Sequence, residues 1–75
     1  MLSEADMTGL KCPLPVLKAR KLLKGLAAGD ELRVLATDPS APADFAAFCA
    51  EAGHQLSASV EQGGRLVLLI RKGRK

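Results

Sequence analysis

Cys12-Pro13-Leu14-Pro15-Val16-Leu17-Lys18-Ala19-Arg20-Lys21-Leu22-Leu23-Lys24-Gly25 is the stretch from which the rest of the chain can be read. Apolar Val16, Ala19, Leu22, Leu23 and Leu26 recur at helical spacing while basic residues take the other face, which predicts an amphipathic helix from Pro13 to about Leu26. Two prolines at its start are no obstacle, because the N–H groups of a first helical turn have no intrahelical partner. With Cys12 as N-cap and Pro13 as the first helical residue, the free N–H groups of Leu14 and Val16 and the positive end of the helix dipole are expected near the sulfur. Such a position lowers a thiol's pKa and favours the nucleophilic thiolate. Lys11 adds a positive charge beside it.

Outward from this helix the chain alternates strand and helix signals. Before it, Leu2, Glu4 and Asp6 alternate weakly with Ser3, Ala5 and Met7 as a short strand, and Gly9 gives freedom to turn into the cysteine loop. After it, Gly25 and Gly29 are stop signals, and Glu31 to Thr37 reads as a strand with Leu32, Val34 and Ala36 on one face. Asp38-Pro39-Ser40-Ala41-Pro42 carries cap and first-turn residues, Asp38 or Ser40 being the cap. A second helix follows with Ala41, Phe45, Phe48, Cys49 and Ala52 on one stripe and Gly53 just past its end. Leu56, Ala58 and Val60 alternate with Ser57, Ser59 and Glu61, Gln62-Gly63-Gly64 turns, and Arg65 to Arg71 returns as the last strand.

The order β-α-β-α-β-β is that of an α/β (α+β) fold, with two parallel crossovers and a final antiparallel hairpin. Two helices cover only one face of a four-stranded mixed sheet, so a two-layer sandwich is expected. Leu66, Leu68 and Ile70 then face the helices, and Val67 and Leu69 lie on the open face.

The 75 residues make one small domain, 1–75. A chain this short buries only about 60% of its unfolded surface. Without Trp or Tyr, and with Phe45 and Phe48 the only aromatic rings besides His54, its core must be mostly aliphatic. The apolar run Leu66 to Ile70 is too short to cross a membrane. The acidic start Met1-Leu2-Ser3-Glu4-Ala5-Asp6 lacks the basic and apolar regions of a signal peptide. A reduced, cytoplasmic setting is therefore expected for the two cysteines. The net charge of +3 is unevenly placed: no acid lies between Met7 and Gly29, against Lys11, Lys18, Arg20, Lys21 and Lys24, and Arg71, Lys72, Arg74 and Lys75 cluster near the C-terminus.

Taken as one string, Asp6-Met7-Thr8-Gly9-Leu10-Lys11-Cys12-Pro13-Leu14-Pro15 resembles the D-x-x-G-x-x-C-P-x-P signature of the TusA/SirA family of small sulfur-relay proteins. The likeness continues through Val16 to Lys21, Thr37-Asp38-Pro39, Phe48-Cys49, His54-Gln55-Leu56 and Ile70-Arg71-Lys72-Gly73, and so covers nearly the whole chain. It implies a β-α-β-α-β-β sandwich with sheet order 1-2-4-3. It also implies that Cys12 accepts a sulfane sulfur as a persulfide and relays it. The donor would be a cysteine desulfurase or rhodanese, and the acceptor a protein of tRNA thiolation, molybdenum-cofactor or sulfur metabolism. Leu14 stands where some members carry an acid.

Each candidate residue also has a plainer reading. Cys49 belongs to an apolar stripe and is expected to be a core residue. Cys12, Cys49 and His54 have no recognisable zinc-site spacing, and no metal or other cofactor is expected. A cysteine hydrolase needs a base beside its nucleophile, and nothing in the sequence brings His54 to Cys12. The basic helix face is by default solvated, yet without compensating acids it is suited to steering an acidic partner protein. The docking residues named on this ground are Lys11, Pro13, Leu14, Pro15, Lys18, Arg20 and Lys21. A regulatory or RNA-associated module on the same fold is the alternative. Direct nucleic-acid binding is not expected, because no Phe, Tyr or Trp outside the second helix is available to stack bases on a sheet surface.

Overall fold

The computed structural model describes residues 2–11 and 13–73. Its elements run β1 (Leu2–Met7), α1 (Leu14–Lys24), β2 (Glu31–Ala36), α2 (Ala41–Ala52), β3 (Gln55–Gln62) and β4 (Arg65–Arg71). The sheet order is β1-β2-β4-β3, with β1 parallel to β2 and the other pairs antiparallel. This is the expected mixed sheet, order included. Since β4 runs against both β2 and β3, strands β1, β2 and β3 all point the same way, and α1 and α2 both begin at the sheet end where β1 and β2 finish.

Met7, Leu32, Val34, Ala36, Leu68 and Ile70 from the sheet are buried against Ala19 and Leu23 of α1 and Ala41, Phe45, Phe48 and Cys49 of α2. Each large side chain removed from water in this way contributes about 1.5–3 kcal/mol. Phe45, fully buried, is the largest piece of this core.

Three local expectations are corrected. The first helix starts one residue later than its sequence suggests: Pro13 is the N-cap and Pro15 the second helical residue. It also stops at Lys24, with Gly25 as C-cap. Leu22, assigned to the apolar stripe, is 40% exposed, because the stripe centres on Pro15, Ala19 and Leu23 and position 22 falls on its flank. The third correction is in β3, where a bulge between Leu56 and Ala58 breaks the alternation. Leu56 opposes Ile70 on the helix side, whereas Ala58 opposes Leu69 and Val60 opposes Val67 on the open side. The open face thus carries Leu35, Val67, Leu69, Ala58 and Val60. Leu35, Val67 and Leu69 are half-buried, and Val60 on the edge strand is 50% exposed.

Candidate functional site

The loop between β1 and α1 is built by the residues of the signature. Asp6 Oδ1 accepts hydrogen bonds from the Thr8 N–H at 3.0 Å and the Thr8 hydroxyl at 2.7 Å. The Leu10 N–H closes a turn onto the Met7 carbonyl at 3.2 Å, with Gly9 at φ +83°, a conformation that costs an L-residue about 1–2 kcal/mol. The Thr8 bonds hold the Asp6 carboxyl below its ordinary pKa, and the positive charges of Arg65 and Lys18 act in the same direction. Aspartate and glycine are therefore local requirements of the turn.

A longer-range bond fixes the loop in space. The Gly9 N–H donates to Thr37 Oγ1 at 2.9 Å, joining it to the β2–α2 loop. There Asp38 Oδ1 accepts from the Ser40 N–H and hydroxyl, and the Ser40 hydroxyl lies 3.1 Å from Asp44 Oδ2. Between the two loops lies an open groove of about 360 Å³ lined by Gly9, Leu10, Lys11, Thr37, Asp38 and Pro39. Parallel strands bring these loops together, since the carboxyl ends of β1 and β2 are neighbours; this is where open α/β sheets commonly bind ligands. In the sequence, Thr37-Asp38-Pro39 reads only as part of the family likeness and as cap chemistry. Its place beside the cysteine loop needed the strand pairing.

Cys12 lies outside the described residues. Its flanks do not: Lys11 and Pro13 are exposed at this end of the sheet. The Leu14 N–H, expected to be free for the sulfur, donates instead to the Lys11 carbonyl at 2.9 Å. What remains at this end is the positive pole of each helix, each equivalent to about half an elementary charge.

Along α1, Leu14, Lys18, Arg20 and Lys21 are exposed, whereas Pro15 is buried and unavailable to a partner. The outward face is not purely basic: Leu14 and Leu17 are each about half exposed, at 52% and 51%, and lie between the lysines. Arg20 departs from the strip, its guanidinium sitting 5.4 Å from the centroid of the Phe48 ring on α2. Among the described residues no acid forms an ion pair with these α1 cations; Arg33 of β2 pairs with Glu4 of β1 at 3.7 Å.

Cys49 lies on α2 and His54 between α2 and β3. Cys49 is buried and free, its thiol pKa pushed up by burial. His54 packs on Phe48 at 5.5 Å and accepts a hydrogen bond from the Gly73 N–H at Nδ1. No helix among the described residues is long and apolar enough to cross a membrane.

A two-layer α/β protein whose cysteine-containing loop meets the β2–α2 loop at the start of both helices is the class that fold and site define. The chain belongs to the sulfurtransferase TusA family, whose model matches residues 3–72. A protein of Neisseria meningitidis serogroup A, provisionally named a sulfur carrier, is 54% identical over 65 residues, covering 87% of this chain and 88% of the relative. The sulfur carrier protein TusA of Allochromatium vinosum is 46% identical over 69 residues, covering 92% of this chain and 91% of the relative. A crystal structure of a SirA-like protein from Desulfitobacterium hafniense superposes with a TM-score of 0.84 at 28% identity, covering 99% of this chain and 100% of that one.

Proposed function

We propose that this protein is a cytoplasmic sulfur carrier in which Cys12 holds the cargo. The Cys12 thiolate attacks the outer sulfur of a donor persulfide. The new S–S bond forms as the donor's own S–S bond breaks, and the donor sulfur leaves as a thiolate. In the second step an acceptor thiolate attacks the outer sulfur of the Cys12 persulfide, and Cys12 leaves as thiolate. Sulfane sulfur changes hands with no net oxidation, at a rate governed by thiolate fraction, leaving group and access. The observation that carries this reading is the family match across residues 3–72, which includes the Cys12-Pro13-Leu14-Pro15 motif.

The donor is a persulfide-bearing protein such as a cysteine desulfurase or rhodanese, and the acceptor a further relay or thiolation protein. The exposed strip of Lys11, Pro13, Leu14, Leu17, Lys18 and Lys21 supports docking by a surface that combines acids with apolar side chains. Charge there acts on encounter and orientation more than on final affinity. The test is to incubate the protein with a cysteine desulfurase and cysteine, then weigh it intact. A sulfur adduct is expected on the wild type and none on Cys12→Ser. An undiminished adduct on Cys12→Ser, or no adduct on either, overturns the assignment.

A further inference from the structure

At the other end of α1 lies a second cleft, of about 210 Å³, lined by Arg20, Leu23 and Lys24 of α1, Phe48 and Ala52 of α2, and His54 and Lys72 beyond them. Its walls contain no acid, and Arg20, His54 and Lys72 are each held in place by a contact behind them. Lys72 Nζ donates to the Leu26 carbonyl, part-buried, at 2.6 Å and keeps further N–H groups. His54 accepts the Gly73 N–H at Nδ1 across 3.0 Å, so a neutral ring carries its proton on Nε2. Arg20 is braced on one side of the cleft by the Phe48 ring, and His54 packs against the same ring.

We propose that this cleft binds a small organic anion, a carboxylate or phosphoryl group on an apolar stem. Arg20, Lys24, Lys72 and the His54 Nε2–H supply the donors. Phe48, Leu23 and Ala52 supply a floor for the stem. Braced donors lose little freedom on binding, which favours affinity. The C-terminal ends of both helices lie here and oppose an anion, each with about half a negative charge. Several of their carbonyls are already occupied: Leu22 and Leu23 accept the N–H groups of Gly25 and Leu26, and Cys49 accepts that of His54. Three full positive charges exceed the remainder.

The charged groups around His54 are Arg20, Lys24 and Lys72. Asp30, its carboxyl held below the ordinary pKa first by the Ala27 N–H and last by the Lys72 charge, lies beyond that lysine, and Asp44 and Glu51 line the adjoining groove with Arg20. Empty, the cleft lowers the His54 pKa through burial and the Lys72 charge. A bound anion stabilises the imidazolium by its charge and so raises the His54 midpoint, against the loss of the Gly73 N–H bond when Nδ1 takes the second proton.

The experiment is a titration of ¹⁵N-labelled protein with phenyl phosphate, with inorganic phosphate and phenol as separate arms. Saturable shifts at the amides of Ala52, His54, Lys72 and Gly73 are expected with phenyl phosphate, together with an upward move of the His54 midpoint. Lys24→Gln should weaken binding about threefold; it is exposed and anchors nothing, whereas Lys72→Gln also removes the Leu26 contact. Shifts that do not saturate, that centre on Lys11 and Lys18, or that phenol reproduces overturn the proposal. Inorganic phosphate binding as tightly as phenyl phosphate overturns the apolar-stem requirement. Persulfide loading of Cys12 is a separate measurement at the opposite end of α1, so the two readings fail independently.

Discussion

The Gly9 N–H and the Thr37 hydroxyl, 28 positions apart in sequence, meet at 2.9 Å and tie the cysteine loop to the loop that starts α2. Through this bond the turn set by Asp6 and Gly9 takes a defined place against β2. The groove beside Lys11 has Thr37 in its opposite wall.

Thr37→Val keeps the shape and removes the acceptor. A loss of about 0.5–1.5 kcal/mol in urea unfolding is expected, with slower persulfide loading from a protein donor. Thr37→Ser, which restores an oxygen, should recover most of both. If the Val variant loads as fast as the wild type, the bond is dispensable.

Reversing Lys18 and Lys21 to Glu tests the docking strip without disturbing the Arg20–Phe48 contact that packs α1 against α2. Transfer from a protein donor should slow, and the defect should shrink as salt rises and screens the strip. Loading from glutathione persulfide, which needs no docking face, should change far less. Equal slowing with both donors would show that the substitutions act on Cys12 or on the fold.

Cys49 is 2% exposed, and burial raises its thiol pKa, so it stays protonated near neutral pH. Iodoacetamide should modify Cys12 in the native protein and reach Cys49 only in denaturant, as read by mass. Cys49→Ser should cost about 1–3 kcal/mol where the new hydroxyl finds no partner, and leave sulfur transfer nearly intact.

Gly73 packs directly on the backbone of Gly53: a Cβ there would overlap the Gly53 carbonyl. Backbone cannot give way as a flexible side chain can, so Gly73→Ala should lower stability by about 1–3 kcal/mol. It should also disturb the Gly73–His54 bond, visible as a moved His54 imidazole resonance. An unchanged melting temperature would refute the close approach.

His54 should titrate below 6.5, because burial first and the Lys72 charge second disfavour its protonated form. A group with a depressed native pKa binds its proton more readily when unfolded. Its contribution to stability is therefore present above 6.5 and is lost as pH falls through the lower native midpoint. Lys72→Met should raise the midpoint without restoring it fully, since burial remains. NMR titration of the imidazole reads both values.

Much of this was legible in the residues themselves. Hydrophobic periods of 3.6 and 2, punctuated by Asp38-Pro39, Gly53 and Gly63-Gly64, determined the element order β-α-β-α-β-β. Two helices against four strands determined a one-sided sandwich, and the Asp6-to-Pro15 string identified the family. These are local properties: each depends on a few neighbours in the chain and on the face to which a side chain is assigned. Three features were decided only by tertiary structure. The bulge in β3 sends Leu56 to the core and Ala58 and Val60 to the open face, because register against β4 overrides simple alternation. Leu22 is exposed because the burial arc is set by the sheet and α2 beneath the helix. The Thr37 contact and the cleft joining Arg20, His54 and Lys72 unite residues far apart in the chain, and such meetings follow from strand order and packing, to which no local pattern is sensitive.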